Sequence, residues 1–162
     1  MTEIIRYTEG DKQEVIDLIL NIQRNEFGIP ISLADQPDLD DVLGYYQKDN
    51  GNFWVARMDD FIVGTIALLD IGNNMCALRK MFVNAKYRGR KYGIGQILLD
   101  TLLEWAVEKK FRQIILGTTD KFTRAQAFYE KNGFTEIRKE DLPATFPVMS
   151  VDVKFYCLRL KL

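Results

Sequence analysis

The sequence predicts an α+β fold, a mixed sheet with helices on both faces, in the order β-α-α-β-β-β-α-β-α-β-β. Three apolar segments separated by polar turns follow one another between residues 53 and 83, as in an antiparallel meander. Two long segments, 11–26 and 93–109, have apolar residues at the helical spacings of three and four. A short apolar segment follows the second of them, which indicates a right-handed strand–helix–strand crossover.

The chain opens with a short predicted strand at Ile4–Tyr7. An amphipathic helix at Asp11–Glu26 follows, and Gly28 lies just after its end. A second helix is predicted at Pro37–Gln47, because a proline near the first position and acids in the first turn are typical of a helix start.

The remaining elements follow the same rules. Strands at Phe53–Met58 and Phe61–Leu69 flank a tight Asp59-Asp60 turn, and Met75–Val83 completes the meander. After them come helix Gly93–Lys109, strand Gln113–Gly117, helix Thr123–Asn132 with its cap Gly133, strand Phe134–Ile137 and strand Val151–Leu160.

Composition limits the possible functions. The length predicts one domain, residues 1–162, and the net charge of −1 argues against a nucleic-acid partner. Histidine is absent, which excludes Ser-His-Asp and Cys-His catalysis. Cys76 and Cys157 lie far apart in apolar runs and predict buried thiols, so no metal is expected. There is no signal-like N-terminus and no apolar stretch near the roughly 20 residues of a membrane span, so a cytoplasmic protein without a membrane partner is predicted.

A basic, glycine-rich loop lies between the third meander strand and the strongest helix, at Tyr87–Gly95. Glycines let the backbone approach a ligand closely, and the first N–H groups of a helix have no partners inside it. Four cations add full charge: Lys86, Arg88, Arg90 and Lys91. The loop therefore predicts a site for a small anion such as a diphosphate, although a solvated basic turn is the alternative.

Two motifs resemble the GNAT acetyltransferase superfamily. Arg90-Lys91-Tyr92-Gly93-Ile94-Gly95 is similar to its Q/R-x-x-G-x-G/A loop, and residues 125–134, AQAFYEKNGF, are similar to its A-x-x-F-Y-x-K-x-G-F helix. The element order agrees over nearly the whole chain. The resemblance implies a GNAT-like acyl-CoA N-acyltransferase fold with acetyl-CoA as donor, a small-molecule amine as acceptor and, by analogy, a possible homodimer.

The resemblance also assigns the donor site. It implies that Met81, Phe82 and Val83 form the strand edge that pairs with the pantetheine arm, as in β-augmentation. The pyrophosphate would be held by Arg88, Gly89, Arg90, Lys91, Tyr92, Gly93, Ile94 and Gly95. Phe128 and Lys131 of the second motif are also assigned to the cofactor, although Phe128 equally suits a core position and Lys131 equally suits solvent.

Tyr129 is the implied catalytic acid. Transfer of the acetyl group leaves a CoA thiolate, and a phenol with an ordinary pKa near 10 can protonate it. The alternative is a core aromatic residue on an amphipathic helix.

The chain departs from the family pattern in two places. Many members have an asparagine where this chain has Phe122, so Thr119 is chosen as the polar contact to the cofactor, with Thr118 and Asp120 as alternatives. Some members place a glutamate base on the strand before the loop, and residues 75–83 contain no carboxylate. Glu26 is the leading candidate base, although it also suits a surface position, and water could instead relay the proton.

Arg79 and Lys80 are the charged residues of that strand, and neighbours on a strand are expected to face opposite sides. We expect Arg79 to bind an acidic group of the acceptor, with an internal ion pair as the alternative. A non-catalytic acyl-CoA sensor and a protein N-acetyltransferase remain as the competing functions.

Overall fold

The computed structural model describes residues 2–161, which form a seven-stranded sheet in the order β1-β2-β3-β4-β5-β7-β6. The strands are β1 Thr2–Arg6, β2 Asn52–Met58, β3 Phe61–Gly72, β4 Met75–Val83, β5 Gln113–Thr118, β6 Thr135–Ile137 and β7 Lys154–Arg159. The helices are α1 Lys12–Leu20, α2 Pro37–Asp40, α3 Val42–Tyr45, α4 Ile94–Glu108 and α5 Thr123–Lys131.

The sheet is mixed, because β4 and β5 are parallel while the other neighbouring strands are antiparallel. The two faces of the sheet carry separate apolar cores. One core packs Ile19 of α1 and Leu39 of α2 against Phe53, and the other packs Leu98 of α4 against Ile114. The antiparallel meander and the α4 crossover are therefore where the sequence predicts them. Among residues 2–161, no helix combines the length and the apolar character that a bilayer span requires.

The parallel strands β4 and β5 separate soon after they meet. Their ladder joins Met75–Ala77 to Gln113–Ile115, and the described chain continues no pairing between the two strands beyond that point. The second half of β4 therefore presents backbone N–H and C=O groups along a free edge. A cleft opens between the diverging strands, and the glycine-rich loop follows the far end of β4.

A β-bulge interrupts β4 at Lys80, whose φ is +52°. Lys80 and Met81 together oppose the single residue Ile66 of β3, and the Thr65 hydroxyl donates to the Lys80 carbonyl at 2.7 Å. The extra residue resets the alternation, so Met81 packs on the α4 side while Arg79 and Lys80 both contact residues of 36–45. The expectation that Arg79 and Lys80 face opposite sides is therefore wrong.

Two predicted helices differ from the observed ones. The helix expected at 37–47 is two short helices, because Asp41 has φ −140° and ψ 69° and its carboxylate caps the Gly44 N–H at 3.0 Å. The helix expected at 11–26 changes to a π-helical turn over Asn21–Glu26. Such turns occur often at functional sites, and this one carries the buried side chain of Gln23 towards the cleft.

Candidate functional site

A cavity of about 610 Å³ fills the cleft between the diverging strands, a volume typical of small-molecule sites. Its walls come from the π-helical turn of residues 21–26, the second half of β4, the end of β5, the start of α5 and residues 146–152. Arg79 and Lys80 line it near the point where the strands separate. Arg88, Gly89 and Gly95 line it near the loop that follows β4.

The loop has the backbone geometry of an anion cradle. Gly93 has φ +62° and precedes α4, and Gly89 has φ +100°. The Ile97 N–H donates to the Gly93 carbonyl at 3.1 Å, which begins the hydrogen bonding of α4. The backbone N–H groups of the first turn, before Ile97, therefore remain available to a ligand. A Cβ at Gly89 or Gly93 would meet no atom within 4 Å, so space for a ligand exists beside both residues.

Arg88 and Glu26 lie together at the loop end of the cavity and form a bidentate ion pair. The Arg88 Nη2 donates to Glu26 Oε1 at 2.8 Å, and its Nε donates to the Val83 carbonyl at 2.8 Å. Arg88 was predicted to bind the pyrophosphate and Glu26 to act as the base. In the structure the two side chains are instead hydrogen-bonded to each other. Arg90 and Lys91 are exposed and form no ion pair with another residue of 2–161, so they are better placed to receive a phosphate.

The predicted cofactor residues divide into two groups. Those that line the cavity are Met81, Phe82, Val83, Arg88, Gly89, Gly95, Thr119 and Phe128, and those that do not are Arg90, Lys91, Tyr92, Gly93, Ile94 and Lys131. The Ile94 side chain is fully buried in the core, which leaves only its backbone for a ligand. Lys131 is exposed at the last position of α5, so the structure does not bring it to the cavity.

Tyr129 lines the cavity from α5, and its ring packs against Phe128, Phe134 and Tyr156. Its residue is only 6% exposed, and this burial raises the pKa of the phenol well above its ordinary value. The hydroxyl therefore keeps its proton at neutral pH. A protonated phenol at the cavity wall can donate its proton to a leaving group such as a thiolate.

Phe122, which replaces the family's asparagine, has a packing role. Its ring lies edge-on to the rings of Phe27 and Phe82, with centroid distances of 4.8 Å and 6.2 Å. It therefore links the start of α5 to the turn after α1 and to β4. Thr119, the predicted polar substitute, is buried at the cavity wall, where its hydroxyl donates to Asp120 Oδ1 at 3.2 Å.

A buried polar cluster, which the sequence did not reveal, lies beside Arg79. Its members are Gln23, Gln36, Asp38, Tyr46 and Lys80. Lys80 Nζ donates to Gln36 Oε1 at 2.5 Å and lies 3.4 Å from Asp38 Oδ2, which also accepts from the Tyr46 hydroxyl at 2.6 Å. Gln23 and Gln36 exchange amide hydrogen bonds of 3.1 and 2.8 Å. These contacts fix the Lys80 ammonium at the cavity wall.

Burial lowers the pKa of Lys80 to about 8, an effect that the Asp38 carboxylate partly opposes. Arg79 adds a second cation, whose guanidinium donates to the Tyr45 hydroxyl at 3.0 Å and lies over the Tyr45 ring. Two cations at one end of a concave site attract anionic groups of a ligand.

The lowered pKa of Lys80 predicts a pH dependence of stability. Between about pH 8 and 10.5 the unfolded chain binds a proton at Lys80 that the folded chain releases, so the free energy of unfolding rises with pH. We expect Lys80→Met to remove a rise of up to about 3 kcal/mol across this window, measured by urea unfolding. The control is Lys12→Met, which breaks the more exposed pair with Asp40 at 3.1 Å and should keep the wild-type profile. If the free energy of unfolding had the same pH profile in Lys80→Met and in the wild type, the lowered pKa of a buried Lys80 would be contradicted.

No group of three or more metal-ligating side chains occurs within residues 2–161. The residues that could hold a large ligand are instead the free edge of β4 and the amides and cations of the loop after it. This arrangement fits a long molecule with an anionic group at one end.

Comparisons with known proteins agree with that geometry. A family model described as Acetyltransferase (GNAT) family matches residues 16–134. A GNAT-family acetyltransferase structure from Staphylococcus aureus Mu50 superimposes with a TM-score of 0.96 at 46% identity, covering 99% of this chain and 100% of that one. This likeness confirms the predicted fold class.

The names of two further similar proteins state a product or a bound ligand. The N-acetylaspartate synthetase of Xenopus tropicalis is 36% identical over 111 residues, which is 66% of this chain and 40% of the relative's length. An N-acetylglutamate synthase from Neisseria gonorrhoeae, solved with coenzyme A and N-acetyl-glutamate, has a TM-score of 0.78 at 16% identity and covers 99% of this chain and 35% of that one. The second likeness concerns the fold alone. The extent of the family match and the close agreement of the fold show that this chain belongs to the GNAT family of acetyltransferases.

Proposed function

We propose that the protein transfers the acetyl group of acetyl-CoA to the primary amine of a small acceptor that carries a carboxylate. One observation carries the proposal: a single cavity joins a free strand edge and glycine loop to two cations, Arg79 and Lys80. The strand edge and loop suit a donor with a peptide-like arm and a diphosphate. The cations suit an anionic acceptor.

The donor is positioned by backbone groups. The edge of β4 at Met81–Val83 pairs with the amide groups of the pantetheine arm, and one of its N–H groups polarises the thioester carbonyl. The first-turn amides of α4, together with Arg90 and Lys91, bind the pyrophosphate. Thr119 and Phe128 line the wall beside the arm.

The amine attacks the thioester directly. As the C–S bond breaks, Tyr129 donates its proton to the leaving sulfur, which needs a phenol that is still protonated at neutral pH. An ordinary phenol already meets that condition, and the burial that raises the pKa of Tyr129 keeps the proton on its hydroxyl.

The acceptor class is inferred from charge. Arg79 and Lys80 reach the same side of β4 because of the bulge, and both line the cavity. The name of the Xenopus tropicalis relative points the same way, since that protein is an N-acetylaspartate synthetase. An α-amino acid, with a carboxylate beside its amine, fits this end of the cavity.

Arg79→Met is expected to raise the KM for an amino-acid acceptor by about 10–100-fold, because a charge-assisted contact of roughly 1.5–3 kcal/mol is lost. Initial rates at saturating acetyl-CoA measure this effect. The matched control is the decarboxylated amine of the same acceptor, whose KM should not change. An unchanged KM for the amino acid would remove Arg79 from the acceptor site.

Release of free CoA thiol tests the function itself. Each α-amino acid is compared with its decarboxylated amine and with short peptides that have a free N-terminus. We expect acceptor-dependent release that is faster with amino acids than with the matching amines. Binding of acetyl-CoA without release for any acceptor would instead indicate a sensor, and a preference for the peptides would indicate a protein acetyltransferase.

A further inference from the structure

Asp152 lies in the segment before β7 and lines the cavity at the end of β5. Its Oδ2 accepts the Met149 N–H at 2.9 Å, which fixes the carboxylate. Within residues 2–161 its Oδ1 accepts no hydrogen bond, so one oxygen remains available to a ligand. This oxygen is not buried without a partner, so it is open to the cavity and free to accept from a ligand.

Gly117 of β5 makes room for this carboxylate. A Cβ at residue 117 would lie 2.7 Å from Asp152 Oδ2 and 2.8 Å from its Cγ, closer than side chains approach. Asp152 therefore sits directly over a glycine at the diverging end of β5. Any larger residue at 117 would displace the carboxylate from the cavity wall.

The charges that act on Asp152 come from β4. Burial raises the pKa of Asp152 above its ordinary value, while the Met149 N–H and, to a smaller extent, the positive charges of Arg79 and Lys80 oppose this rise. Asp152, Arg79 and Lys80 line the same cavity, and neither cation forms a salt bridge with Asp152. Asp38, the other nearby carboxylate, is occupied by Lys80 and Tyr46.

We propose that Asp152 binds the ammonium group of the acceptor and accepts its proton, so that it is the general base of the reaction. This inference rests on the proposed function. It names a zwitterion site, in which Asp152 takes the ammonium and Arg79 with Lys80 takes the carboxylate. Glu26, the base predicted from sequence, has both oxygens engaged by Arg88.

The proton balance is complete without another reactant. The ammonium gives one proton to Asp152 and becomes a neutral amine, whose lone pair forms the new N–C bond. The C–S bond breaks, its electron pair leaves on sulfur, and the sulfur takes the proton of Tyr129. The second proton of the nitrogen restores Tyr129, and Asp152 releases its proton to solvent. The products are the amide, the thiol and one proton.

The test is Asp152→Asn, which keeps the size of the side chain and its acceptor for the Met149 N–H. The acceptor used is the α-amino acid with the highest wild-type kcat/KM in the thiol-release panel. We expect kcat/KM to fall by about 10²–10⁴-fold near neutral pH, with the dissociation constant of acetyl-CoA unchanged. The loss should shrink at alkaline pH, because the acceptor then arrives as free amine.

The matched control is Asp35→Asn. Asp35 makes the same contact to the N–H three residues earlier, at 3.0 Å to Ser32, but it is exposed and does not line the cavity. Its kcat/KM and pH profile should equal those of the wild type. Glu26→Gln is measured beside it as the competing base.

Several results would overturn the proposal. These are a wild-type pH profile in Asp152→Asn, a fall that is equal at every pH, an equal loss of acetyl-CoA affinity, or loss of the acidic limb in Glu26→Gln alone. Failure of the proposed function looks different, since the wild type itself would then release no thiol with any acceptor.

Discussion

Replacing Tyr129 with phenylalanine is expected to lower kcat by about 10²–10⁴-fold, the usual contribution of a general acid. The substitution removes only the hydroxyl, so the ring should keep its contacts with Phe128, Phe134 and Tyr156. The dissociation constant of acetyl-CoA should therefore stay at its wild-type value. Steady-state rates and calorimetric titration with acetyl-CoA measure the two quantities separately.

Tyr156→Phe is the control for this variant. Tyr156 packs against Tyr129 with ring centroids 6.3 Å apart, but its hydroxyl donates to Glu130 at 2.7 Å and it does not line the cavity. Its loss should change stability slightly and leave kcat near the wild-type value. If Tyr129→Phe kept full kcat, the thiolate would leave without that acid, and Tyr129 would be a core residue only.

Gly93→Val is expected to raise the dissociation constant of acetyl-CoA by at least about tenfold, which corresponds to about 1.4 kcal/mol. Gly93 has φ +62°, a conformation that a β-branched residue adopts only with strain. The branched side chain would also fill the open space beside the first-turn amides of α4, where the pyrophosphate is proposed to bind. Calorimetric titration with acetyl-CoA and with coenzyme A measures the effect.

Gly72→Val separates ligand binding from backbone strain. Gly72 has φ +85° and open space around its Cβ position, but it is the last residue of β3 and lies outside the cavity lining. The variant should lose stability through the same strain and bind acetyl-CoA as the wild type does. Equal affinity in Gly93→Val and the wild type would place the anion cradle elsewhere.

The elements that were predicted correctly have strong local periodicity. The meander strands are apolar segments separated by turns rich in Asp, Asn and Gly, and α4 carries a continuous apolar stripe, so local pattern and final packing agree. The glycine loop was also predicted correctly. Its backbone needs a positive φ at residues 89 and 93, and glycine, which adopts this conformation easily, occupies both positions.

The features that were missed depend on contacts distant in sequence. Lys80 adopts a positive φ, although the residue types that usually do so are Gly and Asn, so the sequence does not predict the bulge. The bulge is explained by the pairing with β3 and by the hydrogen bond from the Thr65 hydroxyl. The helix breaks at Asp41 because this residue does not continue α2 and its carboxylate instead caps the start of α3. The position of Asp152 follows from a glycine on another strand, Gly117, which no local pattern reveals.

The pairing of Arg88 with Glu26 likewise escaped the sequence, which assigned the two residues to different tasks. Their ion pair joins the π-helical turn after α1 to the end of β4, where Arg88 also holds the Val83 carbonyl. The pair is partly exposed, so it contributes about 0–1 kcal/mol to stability, and a substitution of either residue also releases the other from the pair. Variants of either residue should therefore be judged by cofactor affinity and by turnover together.

The most direct test of the proposed function is the fate of an isotope-labelled acetyl group. The wild-type protein is incubated with [1-¹³C]acetyl-CoA and an equimolar mixture of α-amino acids and their decarboxylated amines, and the products are identified by mass spectrometry. We expect the label on the nitrogen of a carboxylate-bearing acceptor, in an amount equal to the free CoA released. Label found only in unreacted acetyl-CoA or acetate, or mainly on the decarboxylated amines, would contradict it.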